Sequence, residues 1–289
     1  LHYSSKLNVS TYSKQLNPEN KTHLTDFPLP IWFYPPMQII SFLLLALTLS
    51  TAHANLVLIG GGKRPPEAMK EFVTLAGLKY ANILIIPWAS ESTEAAENIK
   101  RELEAWGPGK VVIAPLRLNA QELTPFHLNL SNFSGIFFTG GNQNTLMTLL
   151  KEYRLVDLFR KKYKEGMIFA GTSAGTAIMS NPMLTGNGTE LSEGLGLLPS
   201  HYIVDQHFIV RNRFDRLGGI ILSKENTIGI GIDEDTALVI IGSHARVVGP
   251  SQVVTFEKDA QNQLKIIFKF PGEDFILSDQ AGFLSGLQK

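Results

Sequence analysis

The chain has no cysteine. That excludes disulfides, thiolate metal sites and a cysteine nucleophile together. It also lacks an excess of charge of either sign, with 26 Lys and Arg against 26 Asp and Glu and a formal net charge of zero. Nothing electrostatic therefore draws it to nucleic acid or to an anionic membrane surface. The apolar run Ile39 to Leu49, about a dozen residues long, falls short of the roughly 20 that a bilayer span requires. Gly60-Gly61-Gly62 lacks the spacing of a dinucleotide fingerprint, and no metal or nucleotide cofactor is indicated. No internal repeat or low-complexity segment appears. What remains is 289 residues with 44% hydrophobic content, enough for one or two domains with a sizeable core.

The first 54 residues read differently from the rest. Residues 1–36 are rich in Asn, Ser and Thr and show no helical or strand period; they are read as upstream or non-native sequence. Met37 then precedes the apolar run and Ala52-His53-Ala54. This order reads as a secretory signal over 37–54 cleaved after Ala54, giving an exported, periplasmic or extracellular chain of residues 55–289. The basic n-region is missing, since no Lys or Arg lies between Met37 and the run. The alternative is a buried strand or helix, which ranks lower because a complete strand follows directly.

From Asn55 strand and helix alternate. Leu56 to Ile59 is a short apolar strand ending in glycines, and Pro65-Pro66 suits a helix start. Met69, Phe72, Val73 and Ala76 then fall on one helical face. Further strands are expected at 83–86, 111–113, 135–139 and 167–170, with helices over 92–106 and 142–164. Apolar strands separated by helices predict a parallel sheet covered on both faces. The ligand site should lie at the carboxyl ends of its strands. Strand-like runs at 227–232, 236–241, 245–248, 252–257 and 264–270 with short turns predict an antiparallel extension of one domain, 55–289.

Gly171-Thr172-Ser173-Ala174-Gly175 is G-x-S-x-G directly after an apolar strand. A serine on a tight strand-to-helix turn exposes its hydroxyl, and the crowded backbone favours small neighbours. The following amide, on Ala174, can face a developing oxyanion. A structural turn or an anion-binding helix start is the plainer reading of the same pattern. A serine hydroxyl needs a base. Among His127, His201, His207 and His244, His207 stands out because it ends the strand-like run Tyr202-Ile203-Val204. Arg211, Arg213 and Arg216 follow it. Guanidinium forks bind carboxylates in a bidentate way, so these three read either as a clamp for a substrate carboxylate or as a solvated, ion-paired face.

These segments together resemble the cyanophycinase branch of peptidase family S51, which also holds aspartyl dipeptidase (peptidase E). The match rests on Gly60-Gly61, Phe138-Thr139-Gly140-Gly141-Asn142-Gln143, the Ser173 pentapeptide, and Gly196-Leu197-Leu198-Pro199 through Asp205-Gln206-His207-Phe208 to Arg216. The resemblance implies a three-layer, doubly wound α/β fold like flavodoxin and class I glutamine amidotransferases. It implies Ser173 as nucleophile, His207 as base, and an acidic residue between them, with Glu190 preferred and Glu193 the alternative. Gly141, Asn142, Gln143 and Ala174 would line the oxyanion or substrate site, and Asp205, Gln206, Arg211, Arg213 and Arg216 would shape the pocket. The implied activity is hydrolysis of cyanophycin, a poly-aspartate carrying arginine on each side-chain carboxyl, to β-aspartyl-arginine without a cofactor. The implied partners are that polymer alone, with no nucleic acid and no membrane after signal cleavage; a homodimer is left open. One departure is Gly62-Lys63-Arg64, where the family pattern has an acidic residue. Extra positive charge there would turn preference toward another β-aspartyl or acidic peptide.

Three other readings compete: a peptidase E-like dipeptidase for small Asp-X or β-aspartyl peptides, a non-catalytic binding protein on this scaffold, and an α/β-hydrolase-type esterase. The esterase predicts a histidine near the C-terminus, yet the last one is His244, followed by a long strand-rich segment.

Overall fold

The computed structural model describes residues 55–278; the expected signal segment and residues 1–36 lie outside the described residues. The parallel part of the chain comprises β1 (Asn55–Ile59), α1 (Pro66–Leu75), β2 (Asn82–Ile86), α2 (Glu94–Glu104), β3 (Lys110–Ile113), α3 (Ala120–Asn129), β4 (Gly135–Phe138), α4 (Gln143–Glu152), α5 (Val156–Lys164), β5 (Ile168–Thr172) and the short α6 (Ala174–Ala177). A small hairpin of β6 (Met183–Leu184) and β7 (Leu191–Ser192) comes next, then β8 (Tyr202–Gln206) and α7 (Phe214–Ser223). The chain closes with β9 (Ile228–Ile232), β10 (Ala237–Ile241), β11 (His244–Val248), β12 (Val253–Lys258), β13 (Leu264–Lys269) and β14 (Asp274–Ile276).

An eight-stranded sheet runs β14-β11-β10-β1-β5-β4-β2-β3. The strands β1, β5, β4, β2 and β3 are parallel. Alternation along each strand explains why this sheet needs cover on both sides. In β1, Leu56 and Leu58 face one apolar layer while Val57 and Ile59 face the other. The second layer is filled by Met69, Phe72 and Val73 of α1 and by Ile99 and Leu103 of α2. The first takes Leu146 and Leu150 of α4 and Phe159 of α5. The expected doubly wound, flavodoxin-like architecture is what forms.

Two expectations are corrected in detail, and one helix is added. The single helix over 142–164 is two helices, because the chain turns between them with Arg154 at a positive φ of 53°. The added helix, α3, is started by a capping box in which Asn119 and Glu122 satisfy each other's amides. The antiparallel extension is split. β10, β11 and β14 continue the main sheet beyond β1, whereas β13, β12, β9 and β8 form a second sheet of four strands. Within that second sheet β8 and β9 are parallel, with Gln206 opposite Ile232. Residues 207 and 233–234 therefore leave the sheet on one rim. The second sheet places Tyr202, Val204, Ile228, Ile230 and Ile232 in the same apolar layer as α4 and α5, and α7 covers its other face with Leu217, Ile220 and Ile221.

Candidate active site

The strand β5 runs into Ser173, which caps α6 at φ 52° and ψ −111°. A non-glycine residue at positive φ is strained by about 1–3 kcal/mol and persists only where its surroundings fix it. Here they do. The Ser173 amide donates to the Ile59 carbonyl at 3.0 Å, and Thr176 Oγ1 donates to the same carbonyl and to that of Gly171, each at 2.7 Å. The flanking glycines allow the sharp turn: a Cβ on Gly171 would lie 2.3 Å from Gly175, and one on Gly175 would lie 2.3 Å from the Phe138 carbonyl oxygen. Ala174 begins α6, where amides have no intrahelical acceptor.

His207 directly follows β8, at φ 48°. Its Nε2 lies 2.7 Å from Ser173 Oγ, and its Nδ1 lies 2.5 Å from Glu234 Oε1. Ser173, His207 and Glu234 thus form a continuous chain of contacts. The acid at the far end is not the one expected. Glu190 is exposed on the β6–β7 hairpin, where its carbonyl accepts from Thr185. Glu193 pairs with Lys151 at 2.8 Å and lies 3.8 Å from Arg160. Neither meets the histidine, because the hairpin ties both to other partners while the parallel pairing of β8 and β9 delivers Glu234 instead.

The glycine loop after β1 joins these parts. Gly60 accepts from the His207 amide at 2.7 Å, and Gly61 accepts from the Asp235 amide at 2.9 Å. A Cβ on Gly61 would sit 2.1 Å from His207 Cε1, so the bare backbone packs flat against the imidazole. Lys63, exposed, donates its amide to Asp235 at 2.5 Å. Arg64 is bidentate on Glu102 at 2.6 and 2.5 Å, which neutralises its share of the extra positive charge at Lys63-Arg64.

Burial lowers the pKa of His207 below the ordinary imidazole value. The hydrogen bond that Nδ1 donates to Glu234 opposes this, and the positive charges of Arg211 and Arg213 push the same way as burial. An imidazole held neutral near neutral pH can accept a proton from Ser173.

The cleft in front of the serine has a volume of about 390 Å³ and is lined by Gly141, Asn142, Gln143, Asn144, Ser173, Gly186, Asn187, Gln206, Arg211 and Arg213. Gly140 lies beside the serine, its position for a Cβ being 3.4 Å from Ser173 Cβ. Asn142 caps α4, accepting from Asn144 and Thr145, and Gln143 Nε2 donates to the Leu184 carbonyl at 3.1 Å. Gln206 is buried, with Oε1 unpaired. The three arginines do not act alike. Asp205 is buried and receives Arg213 at 2.9 Å and Arg216 at 2.6 Å, with a further short contact to Arg216 Nη2. Arg216 also donates to the Gly186 and Gly188 carbonyls. Asp205 and Arg216 therefore stand behind the cleft, and only Arg211, exposed and free of ion pairs among the described residues, offers an uncommitted charge to it.

The chain is similar to known proteins along most of this frame. The profile of peptidase family S51 matches residues 56–248. A cyanophycinase of Trichormus variabilis is 36% identical over 204 residues, covering 65% of this chain and 68% of that protein. A cyanophycinase of Geminocystis herdmanii is 31% identical over 226 residues, covering 73% and 83%. The crystal structure of a peptidase from an acI-B1 Actinobacterium superposes with a TM-score of 0.63 at 24% identity, covering 79% of this chain and 99% of that one; it bears on the fold.

Proposed function

Because the chain belongs to peptidase family S51 and is a serine-type peptidase, we propose that it hydrolyses cyanophycin to β-aspartyl-arginine through an acyl-enzyme on Ser173. The observation that carries this reading is the contact chain from Ser173 Oγ through His207 to Glu234 at the mouth of the cleft. The cyanophycinase relatives support the substrate. In this mechanism His207 Nε2 takes the hydroxyl proton as Ser173 Oγ bonds to the scissile backbone carbonyl carbon. The amide of Ala174 and the Gly140-Gly141 loop face the oxyanion. The C–N bond then breaks as His207 returns the proton to the leaving amine. Water, deprotonated by the same imidazole, releases the acyl group. Glu234 holds the Nδ1–H and stabilises the imidazolium that forms. Arg211 holds a substrate carboxylate.

A second reading, cleavage of small aspartyl or β-aspartyl peptides, is favoured by one feature. No carboxylate is among the described residues lining the cleft, so the substrate's guanidinium has no ionic partner there. The test is product release from insoluble cyanophycin by the protein and by Ser173→Ala, with mass detection of β-aspartyl-arginine. Release by the parent alone supports the proposal. Release by neither, from folded protein that cleaves aspartyl dipeptides, moves the assignment to the second reading. Inactivity on both overturns catalysis and leaves a binding protein.

A further inference from the structure

Glu234 stands between two other carboxylates, and neither of them touches the imidazole. Asp233 is buried at the end of β9. Its Oδ1 accepts from the backbone amides of Ile209 at 2.9 Å and Val210 at 3.0 Å. Its Oδ2 accepts the Ser251 hydroxyl at 2.6 Å. Those two amides belong to the turn that starts at His207. The turn is closed by the amides of Arg211, Asn212 and Arg213, which donate to the carbonyls of His207, Ile209 and Phe208. The amides that open such a turn have no acceptor inside it, and Asp233 supplies one. The need is acute because His207 sits at positive φ, a conformation that a residue with a side chain leaves unless it is held.

We propose that Asp233 is a positioning residue for the base: its carboxylate clamps the backbone turn that carries His207, while the adjacent Glu234 clamps the ring. Two neighbours on one strand end thus fix the two ends of the same histidine. The plain alternative is a buried carboxylate that serves stability alone. The two differ in what an isosteric amide does. Asn at this position keeps the Oδ1 acceptor and turns an N–H toward Ser251 Oγ, so the turn stays held with the charge gone; Ala removes both contacts.

The inference rests on His207 acting as the base for Ser173 but not on the identity of the substrate. The test is therefore the rate at which a small fluorophosphonate labels Ser173 across pH, beside kcat and KM, in Asp233→Ala, Asp233→Asn and Ser251→Ala, with circular dichroism to verify folding. A misplacement of about 1 Å in a reacting group can cost on the order of 100-fold. Labelling and kcat should fall by that order in Asp233→Ala with KM nearly unchanged, and Asp233→Asn should keep the parent's rate and acid limb. Ser251→Ala, which frees one carboxylate oxygen and leaves the turn contacts, should lower kcat severalfold and stand in if Asp233→Ala does not fold. A folded Asp233→Ala with the parent's labelling rate, an Asn variant as impaired as Ala, or an unaffected Ser251→Ala would each overturn the proposal. A parent that is not labelled at Ser173 overturns the nucleophile assignment instead, and this inference with it.

Discussion

Replacing Asp205 by alanine tests whether the arginines behind His207 bind substrate or brace the fold. Asp205 has no exposed side-chain surface, and its two partners are 5% and 9% exposed. Removing it strands two guanidinium groups in the interior. Breaking a buried pair costs about 3–5 kcal/mol, because the surviving charge is left uncompensated. The remaining hydrogen bonds of Arg213 to Gln206 and Asn187, and of Arg216 to Gly186 and Gly188, soften the loss, so about 3 kcal/mol is the better figure. In a domain of this size each kcal/mol shifts Tm by about 2–4 °C. The expectation is a fall of about 6–12 °C, read by circular dichroism during heating, with a matching drop in the urea midpoint. Arg211→Ala, which removes an exposed unpaired charge, should leave Tm within about 1 °C of the parent and raise KM. A bracing role is refuted if Asp205→Ala melts with the parent while losing substrate affinity, for then Asp205 and its arginines serve the ligand and not the scaffold.

Glu234→Ala should lower kcat/KM by about two orders of magnitude or more, since it removes a charge-assisted hydrogen bond and frees the imidazole tautomer, whereas Glu190→Ala should match the parent in the same peptide-release assay. The acid limb of kcat/KM should fall below the ordinary imidazole value of about 6.5, because His207 is depressed by burial: the ring is neutral above its folded pKa, and activity is lost as pH drops through it. Arg211→Ala removes a cation that lowers this pKa, so the limb should move to higher pH. Gly61→Ala should abolish activity, since a Cβ there would overlap the His207 ring; retained activity in a pH-rate profile would show that the loop can retreat. Sequencing the N-terminus of the protein recovered from outside the cytoplasmic membrane should give Asn55 if the apolar run is a cleaved signal, and an intact residue 37–54 segment would refute export.

The fold and two of the three contact-chain residues were legible for the same reason. Apolar strands such as Leu56–Ile59 followed by glycines announce a buried parallel sheet, and the pentapeptide around Ser173 and the strand before His207 mark strand ends on its rim. Glu234 was harder to see because its partner depends on which strands pair, and pairing is a long-range property. Ile228–Ile232 was readable as a strand, and Asp233-Glu234-Asp235 directly after it was the available signal. Only the parallel registration of β8 with β9 brings Glu234 of that acidic triplet to the His207 ring. The division of labour among the three arginines was hidden for a related reason: their spacing speaks of one turn, but the carboxylate that claims two of them, Asp205, sits on the other side of the histidine, inside β8.

The hydroxyl and the imidazole–carboxylate pair come from different sheets, and this division has a mechanical consequence. His207 and Glu234 ride on adjacent strands of one ladder, so any rigid slip of that sheet carries them together and leaves their mutual alignment intact. Slip between the sheets would be felt at the 2.7 Å contact to Ser173, and consecutive carbonyls after β1 tie the two parts together, Ile59 taking the Ser173 amide and Gly60 the His207 amide.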